Sequence, residues 1–516
     1  FLVLFIVLLV LAVEQRQAPR LADLFFRINP LSALTTSLAT RTWVSGLAWA
    51  LLTIGLTLLV GRVWCGWICP MGTLLEWIRF HRRSSEPYPQ LRSFKNIFLA
   101  IILVAAVLGN LTLLVFDPIA LLSRTMGVSV IPALNHGVNA TEAVLYQLPI
   151  LRPLVDRIEG VIRGVVLPVK QPAFAQNLPI AMLFLGVLSL NLLAPRVWCR
   201  YLCPLGALLG WLSKIALFRP VIGAACHRCT RCALVCHPGA VDTHGEKGEI
   251  LPSECTVCLD CLADCKKGDI RFQAVLPALF FRKGQSAQIL PPDKNRQVSS
   301  ATYELQKGAS PAPSTSLTRR QFLGSLAAGL IGVMLLRSDL RARQRDSRLI
   351  RPPGSQDEDA FLSACLRCSQ CMKICPTSAL QPAAFEAGLE GLWTPILVAR
   401  VGYCDYGCNV CGQVCPSGAI PNLDLEQKRT QVIAKASVNR DRCLPWASAT
   451  PCIVCEEMCP TPEKSIRLEV VTLQDTDGQP ITLQRPYVIR DLCIGCGICE
   501  NHCPLEGEAA IRVYGI

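Results

Sequence analysis

No Cys-x-x-Cys-His occurs anywhere in the 516 residues, which removes c-type haem. Histidine itself is scarce. The six are His81, His136, His227, His237, His244 and His502, and none lies in a long apolar run, so haem held by paired histidines is excluded too. Nothing resembles a phosphate-binding glycine loop or a dinucleotide fingerprint, which removes nucleotide chemistry. Charged residues make up only 17% against 51% hydrophobic, too few for one ordinary soluble domain. What the chain has in abundance is cysteine, 28 in all.

The hydropathy predicts membrane spans. Trp43 to Gly61, Asn96 to Phe116 and Leu178 to Pro195 each approach the roughly 20 residues a helix needs to cross about 30 Å of hydrocarbon. Phe1 to Val13 reads as the remainder of a first span. Arg62, Arg79, Arg82, Arg83, Arg92 and Lys95 follow the second span, and Arg196, Arg200, Lys214 and Arg219 the fourth. Excess Lys and Arg marks cytoplasmic loops, so both regions are expected inside. The net charge of +13 is explained in the same way, without nucleic acid as a partner.

The cysteines are grouped as metal ligands rather than as a disulfide framework. "CHRCTRCALVC" supplies Cys226, Cys229, Cys232 and Cys236, and "CTVCLDCLADC" supplies Cys255, Cys258, Cys261 and Cys265. Both fit C-x2-C-x2-C-x3-C, the bacterial run that holds a cubane iron–sulfur cluster, its fourth cysteine ligating the neighbouring cluster. One set is then Cys226, Cys229, Cys232 and Cys265, the other Cys255, Cys258, Cys261 and Cys236. Zinc is disfavoured, because zinc sites split two short pairs across a dozen or more residues. The usual proline after the fourth cysteine is replaced by His237 and Lys266.

The last third repeats the theme four times. The runs are Cys365, Cys368, Cys371, Cys375; Cys404, Cys408, Cys411, Cys415; Cys443, Cys452, Cys455, Cys459; and Cys493, Cys496, Cys499, Cys503. Each ends in Cys-Pro, and proline blocks regular backbone hydrogen bonding beyond the last ligand. Six clusters account for 24 cysteines. Between the two cluster regions, 283–317 is rich in Pro, Ser, Gln and Ala and reads as a flexible linker. Thr318 to Leu336, "TRRQFLGSLAAGLIGVMLL", resembles a twin-arginine export signal retained as a fifth span. It places the four-run domain outside the cytoplasm.

Four cysteines remain. "RVWCGWICPMGTLLEW" from Arg62 aligns with "RVWCRYLCPLGALLGW" from Arg196, an internal repeat that carries Cys65, Cys69, Cys199 and Cys203. In a two-fold arrangement these make a four-thiolate site for a cluster, a metal or an exchangeable dithiol; packing alone is the bland alternative. Trp64, Trp67, Trp77, Trp198 and Trp211 read as interfacial anchors. Arg62 and Arg196 are candidates to hold a quinone oxygen, with lipid phosphate the competing reading.

The fold class expected is an α-helical membrane domain, about four spans plus a fifth anchor, with two small α+β ferredoxin-like iron–sulfur domains. The divisions are 1–220, membrane domain; 221–282, cytoplasmic two-cluster domain; 283–317, linker; 318–338, anchor; 339–516, four-cluster domain. On these motifs the first 282 residues resemble the membrane ferredoxin NapH and its relative MauN, and residues from Thr318 onward resemble NapG or MauM. The resemblance implies a multi-pass inner-membrane protein that passes electrons from quinol to an extracytoplasmic reductase, cytochrome or dehydrogenase. Its cofactors would be six [4Fe-4S] clusters, with quinone and a metal or cluster at the Cys tetrad as further candidates. The pairing of the C-terminal runs, one with four and two with three, rests on the same resemblance. A maturation factor for another oxidoreductase and a redox sensor are the rival readings.

Overall fold

The computed structural model describes residues 23–78, 89–162, 171–223, 226, 229, 231–242, 248–265, 269–274, 318–337, 347–355, 357–474 and 480–516. Phe1 to Val13, the linker at 283–317 and Arg79, Arg82 and Arg83 lie outside them.

The first part is a body of short helices whose ends are written in the sequence. Asn29 caps Pro30–Thr40 by accepting from the Leu31 amide, and Asp117 caps Pro118–Thr125 by accepting from that of Ala120. Each is followed by proline, which is pre-shaped for the first helical position. Asn29 Nδ2 also donates to Asp117 Oδ2 at 2.9 Å, so one contact ties two helix starts together. Ala50–Val60, Pro70–Trp77, Phe94–Val107, Ile131–Leu145, Asn177–Ser189 and Pro204–Ser213 complete the body. Leu31, Met71, Leu75, Leu99, Leu121 and Leu209 are buried between them. Each such side chain contributes about 1.5–3 kcal/mol by leaving water.

These lengths overturn the expected membrane domain and with it the multi-pass inner-membrane placement. Among the described residues, no helix is long and apolar enough to cross a membrane. The run from Asn96 to Phe116 holds a helix of only 14 residues, Phe94–Val107, about 21 Å long against a core of about 30 Å. It stops before Gly109, whose φ of +79° suits glycine, and the chain continues as a 3₁₀ turn at Thr112–Phe116. Trp43 to Gly61 and Leu178 to Pro195 likewise contain helices of 11 and 13 residues. The expected anchor is the helix Arg319–Arg337, 19 residues with arginines at both ends. It lays Ser325, Gly329 and Val333 against the Phe94–Val107 helix, where a Cβ on Gly329 would stand 2.9 Å from Val104. The apolar signal is real, but it is divided among helices that are too short or, at Arg319–Arg337, not apolar enough to span.

The two cysteine-rich regions are small α+β units, as expected. In the first, Phe218–Ile222 pairs antiparallel with Ile270–Ala274, and Val241–Asp242 with Glu249–Ile250. In the second, Leu380–Pro382 pairs with Pro395–Leu397, Ala434–Val438 with Ile511–Gly515, and Ile466–Gln474 with Pro480–Val488.

The body lies between the two units. Arg62 Nη1 donates to Ser253 O at 2.6 Å, Trp67 Nε1 to Val257 O at 2.8 Å and Arg200 Nε to His237 O at 2.9 Å; Lys95 pairs with Glu254 at 2.5 Å. On the other side Arg124 Nη1 donates to Arg367 O at 3.2 Å, Gln370 Nε2 to Ser123 Oγ at 3.1 Å and Ser123 Oγ to Cys368 O at 3.3 Å.

Candidate metal centres

In all six runs the third cysteine falls on a short helix. Cys232 lies in Arg231–Val235, Cys261 in Asp260–Ala263, Cys371 in Gln370–Ile374, Cys411 in Val410–Gln413, Cys455 in Val454–Glu457 and Cys499 in Ile498–Asn501. Three runs prepare that helix in the same way, with two residues in the left-handed region between ligands. They are Val257 and Leu259 (φ 55° and 71°), Arg367 and Ser369 (54° and 61°), and Gly495 and Gly497 (75° and 81°). Four of these six carry a side chain, at a cost of about 1–2 kcal/mol each, and such strain persists where the surroundings impose it. The result is a loop with its amides turned inward, a nest suited to an anionic centre. At Gly495 only glycine fits, since a Cβ would meet Ala434 O at 2.2 Å.

All 28 cysteines are free thiols. Their neighbours sort them into sets. Cys236 is the neighbour of Cys255, Cys258 and Cys261, and the four line one small apolar cavity. Cys232 has Cys226 and Cys229 beside it. Cys236 thus stands with the three cysteines of the following run.

The C-terminal runs pair differently from the expected order. Cys415, from the second run, stands beside Cys365, Cys368 and Cys371 of the first, while Cys375 stands beside Cys404, Cys408 and Cys411. Cys503 joins Cys443, Cys452 and Cys455 around a second small apolar cavity, and Cys459 joins Cys496 and Cys499 next to Cys493. Runs one and two therefore exchange ligands, as do three and four, and consecutive short helices pack together. The two pairs meet where Cys404 N donates to Cys496 O at 2.8 Å.

The sets fit cubane clusters by their chemistry. Burial pushes the Cys258, Cys261, Cys455 and Cys496 thiols up to about 12 and Cys255 and Cys404 to about 11. Thiols so placed stay neutral near pH 7 unless a metal centre takes the proton's place. Backbone amides already address the sulfurs: Ala240 N to Cys236 at 3.1 Å, Ile420 N to Cys415, Ala436 N to Cys493 and Ala510 N to Cys503, each at 3.4 Å. Among the described residues no three His, Cys, Asp or Glu converge closely enough to share one metal ion.

Two family models, both described as 4Fe-4S binding domains, match the chain, one over residues 42–86 and 176–224, the other over 486–506. The methylamine utilization ferredoxin-type protein MauM of Methylorubrum extorquens is 38% identical over 209 residues, 38% of this chain and 89% of that protein. The chain belongs to the MauM/NapG family of ferredoxin-type proteins. The ferredoxin-type protein NapG of Escherichia coli K12 is 37% identical over 203 residues, 84% of its own length, and protein NirI of Paracoccus denitrificans 27% over 227 residues, 26% of its length. No solved structure matches the chain. As a member of the MauM/NapG family with 4Fe-4S domains, the protein is an iron–sulfur electron-transfer protein that works with redox partners.

Other site expectations are corrected. Arg62 and Arg196 are 2% and 7% exposed and committed to protein partners: Arg62 to Ser253 and, at 3.8 Å, Glu254, and Arg196 to Glu76 at 2.6 Å. Of the tryptophans expected as interfacial anchors, Trp64 and Trp198 are buried, Trp67 and Trp211 donate to Val257 O and Asn96 Oδ1, and Trp77 alone is largely exposed. The arginine pair of the export-like phrase opens a helix capped by Thr318, with Gln321 N donating to Thr318 Oγ1 and Thr318 N to Gln321 Oε1. That reciprocal cap was legible in "TRRQ".

Proposed function

We propose that the six runs hold six [4Fe-4S] clusters and that the chain conducts single electrons between redox partners at its two ends. Each cluster, when bound, supplies one-electron chemistry at iron and sulfide. The residues supply the order. The observation that carries the reading is the contact of Cys404 with Cys496, which brings the set completed by Cys375 beside the set completed by Cys459. The set completed by Cys503 then forms one end of the C-terminal row. The set completed by Cys415 forms the other, where Cys368 O accepts from Ser123 of the body.

In this reading the first 282 residues are a second ferredoxin-type unit, similar to NapH or MauN, joined to the MauM/NapG-like part. The test uses the full chain after anaerobic cluster reconstitution, reduced by dithionite substoichiometrically and followed by EPR during freeze-quench. Electrons reaching all C-terminal clusters within one phase support the reading. Electrons that stay on isolated clusters overturn it and favour a sensor or maturation factor.

Quinol as donor is favoured by one feature, an apolar groove lined by Thr125, Val130, Leu134, Val138, Phe184 and Leu185. Thr125 follows Ser123 and Arg124, which hold the first C-terminal run. Cluster reduction by a short-chain quinol, lost in Leu134→Arg and kept with dithionite, is the expected result. Equal reduction in both chains would remove the groove from the path.

A further inference from the structure

Two arginines are sealed into the seam between the helical body and the C-terminal region. Arg124, in Pro118–Thr125, is 0% exposed, and Arg367, between the first two ligands of its run, is 1% exposed. Their hydrogen bonds go to neutral acceptors. Arg367 Nη1 donates to Cys365 O at 2.9 Å and Nη2 to Glu390 O at 2.6 Å, while Arg124 Nη1 donates to Arg367 O at 3.2 Å and Nη2 to Val115 O at 3.0 Å. Among the described residues neither forms an ion pair, because the nearby acids serve elsewhere: Glu390 pairs with Arg337 at 3.5 Å, Glu358 with Arg351, and Asp117 Oδ2 accepts from Asn29 and Ala120.

Two buried charges of one sign are costly, and they persist only where something of the other sign offsets them. Burial and then mutual repulsion pull Arg124 down to about 9, which still leaves it charged at pH 7. What stands opposite is the set completed by Cys415, for Arg124 neighbours Cys368 and Arg367 neighbours Cys365. Arg124 Nε, Arg367 Nε and Trp393 Nε1 are buried donors without a hydrogen-bond partner among the described residues, and the Trp393 ring lies 4.5 Å from Arg124 Cζ. Such donors call for an acceptor, and anionic sulfurs are acceptors. Elsewhere in the row, among the described residues, cations address the ligands singly: Lys428 beside Cys404, half-buried Lys435 to Cys493 O at 2.9 Å, and half-buried Arg400 to Cys503 O at 3.2 Å. In the body the cations are compensated, Arg62 and Lys95 by Glu254 and Arg196 by Glu76.

We infer that Arg124 and Arg367 act as a tuning pair that gives the centre completed by Cys415 the highest reduction potential of the C-terminal row, so that an electron comes to rest at the end abutting the helical body. This rests on the reading that the runs hold clusters. A cluster gains one negative charge on reduction, and two desolvated guanidiniums beside it favour the reduced form. No proton need accompany the electron, since the compensating charge is already in place. The arginines touch no reacting atom of a partner; they act through the ligands they adjoin.

The test is an anaerobic potentiometric titration of the full reconstituted chain, followed by EPR, with the component in question assigned by its alteration in Cys368→Ser. That component is expected to be reduced before the other C-terminal ones. Another C-terminal component reduced ahead of it overturns the inference. Arg124→Gln keeps an amide donor and loses the charge, and is expected to lower the reduced-to-oxidised ratio of this component about tenfold at fixed potential, about 59 mV for one electron, leaving the others in place. Arg124→Lys keeps the charge and should restore most of the shift. Equal shifts in both variants would make Arg124 a packing residue and overturn the inference. Should Arg124→Gln fail to load its clusters, the order of reduction in the native chain decides. Iron content separates the two readings: a native chain that binds too little iron for its runs defeats the cluster reading and this inference with it, while full iron with a different order defeats this inference alone.

Discussion

The two cysteine-rich regions use the same three-cysteine loop but bury it to different depths. In the first, Cys229 is exposed, Cys226, Cys232, Cys258, Cys261 and Cys265 are half-buried, and only Cys236 is fully buried. In the second, Cys365, Cys371, Cys443, Cys455, Cys493 and Cys499 are all buried. The reason is chain length. A unit of little more than fifty residues cannot close over two centres, whereas four runs cover one another and add the Ile511–Gly515 strand across the Ala434–Val438 strand. Solvent exposure is among the levers on cluster potential. The fourth ligand marks the contrast as well. His237 stands where proline follows the C-terminal runs, with its Nε2 3.6 Å from Glu76 of the helical body. The smaller region thus spends that position on docking.

Stripping the clusters is the sharpest way to break the comparison. Chelation under mild oxidation is expected to unfold the deeply buried C-terminal region, an effect on the order of 10 kcal/mol by analogy with structural metal sites, while the helical body resists trypsin. Limited proteolysis followed by mass spectrometry reads the difference. Next in size, Cys415→Ser is expected to alter the EPR component also lost in Cys368→Ser, and Cys375→Ser the one lost in Cys408→Ser. The opposite correspondence would restore ligation within each run.

Arg367→Met tests the seam between body and C-terminal region. It removes donors to Cys365 O at 2.9 Å and Glu390 O at 2.6 Å, each costing about 1–3 kcal/mol when left unpaired. The unfolding free energy from urea denaturation should fall by about 3 kcal/mol in total, with the exposed clusters unaffected. Asp117 offers a pH-dependent counterpart. Burial holds its carboxyl at about 6, above its ordinary 3.8, so its favourable contribution is complete below pH 4 and lost as pH rises through 6. Asp117→Asn should therefore match the native chain near pH 4 and exceed it by about 3 kcal/mol at pH 8, measured by chemical denaturation at both values. The smallest effect belongs to the exposed pair of Arg231 and Asp264 at 3.2 Å. Arg231→Ala should change stability by less than about 1 kcal/mol.

Cysteine spacing was the most legible part of the sequence, because three thiols on one loop leave the chain few choices. The exchange between Cys236 and the Cys255 run followed from that spacing. The C-terminal pairing did not, since four similar runs offer several equivalent exchanges and only tertiary packing selects among them. The repeat at Cys65 and Cys199 announced, through ten matching positions, the convergence that sets Cys65, Cys69 and Cys199 beside Cys203. The helices misled for a physical reason: hydropathy measures how apolar a run is and not where Gly109 or the turn at Ser45–Leu47 interrupts it. The docking contacts were illegible. Arg62 and Ser253 lie 191 residues apart, and nothing local marks either as the other's partner.

The row of thiol sets in the C-terminal region is joined in its middle where Cys404 N donates to Cys496 O. A circuit in series has no bypass. Oxidative loss of either middle centre would isolate the two ends from each other while leaving each still reducible, so a damaged molecule would go on accepting charge that it cannot deliver.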